Sequence, residues 1–149
     1  MGIDPGFAAA LEAEKVLKEV GITSLPIDPF AIARHYNIEV AAKPAHEEGV
    51  SGMLVRVGDF YAIGYATNIA NEGFQRFSVS HELGHYFMPG HLEGVLGEGD
   101  VHQSRAGFVS RDRFEQEADH FAANLLMPKR LFTDALRKTG SGIEGLERL

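Results

Sequence analysis

Phe74-Gln75-Arg76-Phe77-Ser78-Val79-Ser80-His81-Glu82-Leu83-Gly84-His85-Tyr86-Phe87-Met88-Pro89-Gly90 is the stretch whose reading decides the fold. At its centre is the pattern H-E-x-x-H. On a helix His81 and His85 fall one turn apart on the same face, so both imidazoles reach one metal ion. Glu82 sits about 100° round from His81, beside that ion, where it can take a proton from an activated water. Chance can supply so short a pattern, and its flanks carry the argument. Phe74, Phe77, Val79, Leu83, Tyr86 and Phe87 give an apolar flank at mixed helical spacing, and Pro89-Gly90 closes the segment. The combination predicts a motif helix packed on a core.

Around it lies one domain. A chain of 149 residues, 44% hydrophobic and 23% charged, supports a single core. There is no cysteine, so disulfides and thiolate sites are excluded and a metal must be held by His, Asp or Glu. No apolar run approaches the ~20 residues needed to span a bilayer. Met-Gly-Ile-Asp-Pro-Gly-Phe at the start lacks the basic and apolar regions of a signal peptide, and its first six residues read in part as a cloning remnant. The expected compartment is the cytoplasm. A net charge of −7 and a pI near 5.4 argue against nucleic-acid binding, while leaving a basic protein partner open.

Upstream of the motif, residues 7–20 are rich in helix formers and amphipathic through Leu11, Val16, Leu17 and Val20, with Gly21 as the stop. Asp28 and Pro29 start a second, shorter helix with Phe30, Ile32, Ala33 and Tyr36 as its core residues and His35 on its polar face. Three short strands follow, at 38–41, 50–57 and 60–65, the last two joined by a tight Gly58-Asp59 turn. The polar segment 43–49, with a solvated His46, reads as a loop. Downstream, the glycine-punctuated residues 89–110 read as a long irregular stretch containing His91 and His102. Helices are expected from about 111 to 127 and from 129 to 138, separated by Pro128, with 140–149 as a flexible tail. These elements predict an α+β domain, a small three-stranded antiparallel sheet packed with about five helices.

A catalytic zinc site takes three protein ligands. One option for the third is His91, ten residues after His81 as in the extended pattern H-E-x-x-H-x-x-G-x-x-H. That pattern has glycine where this chain has Met88, which puts the required turn out of register. The other option is a carboxylate from the helix after residue 111. Its apolar face centres on Ala118, Phe121 and Leu125, and Glu115 lies about 60° from that centre, against about 100° for Glu117. Glu115 is the better candidate, and Glu117 reads as a solvated acidic residue at the helix start. Asp119, one turn on from Glu115, can accept the second N–H of a ligand histidine.

The segment Arg76 to His85, followed by Glu115-Gln116-Glu117-Ala118-Asp119-His120-Phe121-Ala122-Ala123-Asn124-Leu125-Leu126-Met127-Pro128, resembles the ImmA/IrrE metallopeptidases. Those carry R-x-F-(T/S)-x-x-H-E-(L/I)-G-H on one helix and E-x-x-A-(N/D)-x-F-A-x-x-L-L-M-P on a later one. The resemblance runs from the helix at Asp28 to the helix after Pro128. It implies a zincin-like core with a gluzincin-like site, which agrees with the helix-face argument for Glu115. It also implies a bacterial anti-repressor protease that cleaves a helix-turn-helix repressor, in mobile-element or stress regulation. Some members of the family carry a further N-terminal or C-terminal domain, which is not expected within these 149 residues.

The expected activity is therefore a zinc-dependent endopeptidase acting on a protein substrate, with no direct role for nucleic acid or membrane. His81, His85 and Glu115 are the expected metal ligands and Glu82 the catalytic base. Two histidines and a carboxylate suit zinc, and manganese remains an alternative. His102, His120 and Tyr86 are candidates to stabilise the oxyanion, with Asp119 and Arg76 in support. The rival reading is a metal-bound binding module that sequesters a repressor without cutting it.

Overall fold

The computed structural model describes residues 4–43, 49–105 and 112–139. Its elements in chain order are α1 (Pro5–Val20), α2 (Pro29–His35), β1 (Glu39–Lys43), β2 (Val50–Val57), β3 (Phe60–Ala66), α3 (Glu72–Phe87), α4 (His91–Leu96), β4 (Val101–Arg105), α5 (Arg113–Leu126) and α6 (Lys129–Thr139). The expected loop around His46 and the expected tail from 140 lie outside the described residues.

The helix ends follow from local chemistry. Asp28 accepts hydrogen bonds from the Phe30 and Ala31 amides at 2.9 and 3.3 Å, with Pro29 in the first turn of α2. Gly21 ends α1 in the left-handed region, at φ 83°, which a side chain would resist. Asn71 caps α3 and Asp112 caps α5, each through its side-chain oxygen. One expectation about α1 needs correction: Leu11 is 55% exposed, and the buried stripe is Ala9, Ala13, Val16 and Leu17. α1 packs against α5, and the two alanines are fully buried.

The sheet differs from the expected three antiparallel strands. It has four strands in the order β1-β3-β2-β4, and it is mixed, because β1 runs parallel to β3 while β2 is antiparallel to both its neighbours. β4 is hidden in sequence because its inward residues, His102 and Ser104, are polar, and Val101 is half exposed; no apolar alternation marks it. The turn between β2 and β3 has Gly58 at φ 62° and pairs Val57 with Phe60, as read from the sequence. Near its start β2 carries an irregularity between Val50 and Gly52, where Ser51 is buried and donates to the Ser104 carbonyl at 3.2 Å. α4 is the second unexpected element, a six-residue helix in a stretch read as irregular.

α3 packs on β2 and β3 and also against α5, whose other flank meets α1. The core runs through these layers: Leu17, Ile32, Leu54, Ile63, Val79, Leu83, Phe121 and Leu125 are fully or almost fully buried. Arg76 donates to the Ile27 carbonyl, so it braces the connection between α1 and α2. No helix among the described residues is long and apolar enough to cross a membrane.

The contact between α3 and α5 is close. A Cβ at Gly84 would lie 3.1 Å from the Ala118 Cα and 3.2 Å from its carbonyl oxygen. Replacing Gly84 with Val should push the helices apart and lower unfolding free energy by about 1–3 kcal/mol, as for other overpacked cores. Equilibrium denaturation of the purified variant checks this.

Candidate metal centre

Residues 78–85 of α3 are buried without a break, so the whole H-E-x-x-H face lies inside the molecule. Helical spacing turns His81 and His85 toward α5, and the first turn of α5 brings Glu115 to them. One donor atom from each of the three lies within 4.8 Å of the others. Glu115 Oε2 stands 2.6 Å from His85 Nε2 and 3.5 Å from His81 Nε2. All three atoms are buried and complete no hydrogen bond among the described residues. Two imidazole nitrogens and a carboxylate oxygen facing one point without a partner fit a divalent cation, and the N₂O donor set suits zinc.

The far sides of both rings are occupied. His81 Nδ1 lies 2.8 Å from Asp119 Oδ1, the contact expected of a carboxylate one turn beyond Glu115. His85 Nδ1 lies 3.0 Å from His91 Nδ1, and His91 Nε2 lies 2.8 Å from Glu117 Oε1. His91 is therefore behind a ligand rather than in the donor cluster. The reading of Glu117 as solvated is also corrected, because its side chain is only 12% exposed and bonded to a buried histidine. That flank of α5 is covered by α4, which is too short and too glycine-bounded to be recognised from periodicity.

Glu82 is fully buried, and neither of its carboxylate oxygens completes a hydrogen bond. Sequence reading missed Gly52, whose absent side chain makes the space: a Cβ there would lie 3.0 Å from Glu82 Oε2. Among the three oxyanion candidates, His102 is brought to the centre, with Nε2 at 3.1 Å from Glu115 Oε1. His120 is exposed on the side of α5 near Gly6, and Tyr86 packs edge-on against Tyr61 and Phe87.

Electrostatics divide these groups. Burial pushes the Glu82 carboxyl up to about 7, against the opposing pull of His81, Ser104 and His102. Burial likewise pushes His85 down to about 4, despite the nearby Glu115 carboxylate. His81 is also disfavoured by burial, yet Asp119 and Glu115 together carry it up to about 10. Burial works against the Glu115 charge, but His102, His81 and His85 hold its carboxyl well below the ordinary carboxylate range. So at neutral pH His81 holds the extra proton, beside a neutral His85 and an ionised Glu115.

A divalent cation must displace that proton. Its affinity should therefore rise about tenfold per pH unit from pH 6 to 8, with no levelling until the His81 value near 10 is approached. Competition with a chromophoric chelator across that range measures the slope.

No curated protein matches the chain. A family model described as Peptidase_M78, the IrrE N-terminal-like domain, matches residues 33–148. That match covers more than three quarters of the sequence, including α3, α5 and the strands between them, and the chain belongs to the IrrE N-terminal-like (ImmA/IrrE) peptidase family.

Proposed function

We propose that this protein is a zinc-dependent endopeptidase whose substrate is a helix-turn-helix transcriptional repressor. The observation that carries the first part is the convergence of His81, His85 and Glu115 on one point beside the buried Glu82. Membership of a peptidase family supports it. The repressor substrate rests on the resemblance of α3 and α5 to the two motif helices of ImmA/IrrE proteins.

In this reading His81, His85 and Glu115 hold the ion. When bound there, zinc supplies a Lewis acid that lowers the pKa of water and polarises the scissile carbonyl. Glu82, with its carboxyl raised to about 7, accepts the proton of the attacking water and delivers it to the leaving amine nitrogen. His102, held beside the centre by its Nε2 contact with Glu115, is placed to stabilise the scissile carbonyl oxygen electrostatically as negative charge develops on it. Asp119 holds the His81 ring in place.

Both strands of the β2–β3 hairpin are interior, each paired on two sides, and neither has a free edge for a substrate. Among the described strands the edges are β1 and β4, and β4 carries His102. Its outer backbone is where an extended peptide would pair.

Elemental analysis of protein purified without chelator or added metal should give about one zinc per chain, lost in Glu115→Ala and kept in Glu82→Gln. Protein that neither contains nor takes up metal would overturn the reading. Glu82→Gln should also lower cleavage of a repressor substrate by about 10²–10⁴-fold while leaving partner binding intact. De-repression that survives this change would establish instead the binding module that sequesters without cutting.

A further inference from the structure

We propose that His91 and Glu117 are positioning residues that fix the tautomer of His85 and so aim its Nε2 lone pair at the metal. The inference rests on the zinc reading above and extends it to two residues that touch neither metal nor substrate.

A chain of contacts runs inward from a charged end. Glu117 Oε2 accepts from Arg113 Nε at 3.0 Å, and its other oxygen lies 2.8 Å from His91 Nε2. An ionised carboxylate can only accept, so the hydrogen is on His91 Nε2. A neutral imidazole with hydrogen on Nε2 has a lone pair on Nδ1. His91 Nδ1 faces His85 Nδ1 at 3.0 Å, and two ring nitrogens at that distance need one hydrogen between them. With His91 as the neutral tautomer, it comes from His85 Nδ1. That leaves His85 Nε2, the atom in the donor cluster, to offer its lone pair to a cation in place of its 2.6 Å contact with Glu115 Oε2. Charge at Glu117 thus decides, through one intervening ring, which nitrogen of His85 is free.

The intervening ring is held firmly. His91 is completely buried at the start of α4, and the Phe114 ring meets it edge-on at 4.9 Å. α4 sits tight on that same ring: a Cβ at Gly94 would fall 2.4 Å from Phe114 carbons. Neither nitrogen of His91 is left to face the metal, since one is engaged by His85 and the other by Glu117. The two ligand histidines are therefore supported differently. His81 meets a carboxylate directly, at a side chain that is 56% exposed, whereas His85 reaches one only through a buried imidazole.

The test is zinc affinity of the full chain, measured by competition with a chelator at pH 8, for His91→Leu, His91→Asn and Glu117→Leu. His91→Leu fills the buried space but offers no acceptor, and should bind zinc about 10–100-fold more weakly than the unmodified protein. His91→Asn places an amide oxygen near the former Nδ1 and should recover most of that loss. A purely structural role predicts the reverse order, since Leu packs well there and Asn does not. Asn no better than Leu, or Leu equal to the unmodified protein, overturns the proposal. If circular dichroism shows both His91 variants unfolded, Glu117→Leu decides: weaker zinc binding is expected and unchanged binding overturns it. Should the unmodified protein take up no zinc, the peptidase reading falls separately. The nitrogen-15 spectrum of metal-free protein then decides this proposal alone, with hydrogen on His91 Nε2 expected and hydrogen on Nδ1 overturning it.

Discussion

The missing side chain at Gly84 sets the distance on which the centre depends. With only hydrogen at that position, α3 lies against the backbone of α5 at Ala118, one turn beyond Glu115. The two histidines on one helix and the carboxylate on the other then meet without either chain bending. Burial follows from the same approach, because a closely packed helix pair leaves no water between its facing sides. A polar cluster in such a place is stable only if its groups satisfy one another or a bound ion.

This gives the centre a layered order. The three donors face inward, and behind them stand Asp119, His91 and Glu117, which occupy the outer nitrogens of the rings. Glu82 is the exception, buried with no hydrogen-bond partner, in room left by Gly52. A carboxyl group in that setting keeps or releases its proton with little bias near neutrality, which suits the base role proposed for it.

What could be read from sequence was whatever had a period or a punctuation mark. α3 and α5 carry apolar residues at helical spacing, Asp28-Pro29 and Gly21 mark helix ends, and Gly58-Asp59 marks the hairpin. The angle of Glu115 around α5 was enough to prefer it to Glu117 as the third donor, and the structure places it with His81 and His85. β4 and α4 had neither mark. β4 turns polar residues toward a polar centre, so the alternation that reveals a strand is absent. α4 is shorter than two turns, and its significance lies in His91, a residue that looks isolated until the chain folds it against Glu117. Strand order was likewise out of reach, because β1 pairs in parallel with the far strand of the hairpin, a non-local contact that no local pattern marks.

The placement of β4 at the margin of the sheet bears on what kind of chain could be processed. An endopeptidase that receives its substrate alongside an edge strand would require some residues in extended form, with their own backbone groups free to pair outward. A repressor domain built of helices offers no such segment while folded. Selectivity would then be governed less by side-chain recognition than by the free energy of local melting in the target, so that linkers, frayed helix ends and transiently opened turns are cut first. If the proposed substrate is right, a repressor stabilised by its own DNA or by dimerisation would be protected by the same arithmetic, without any contact between this chain and those partners.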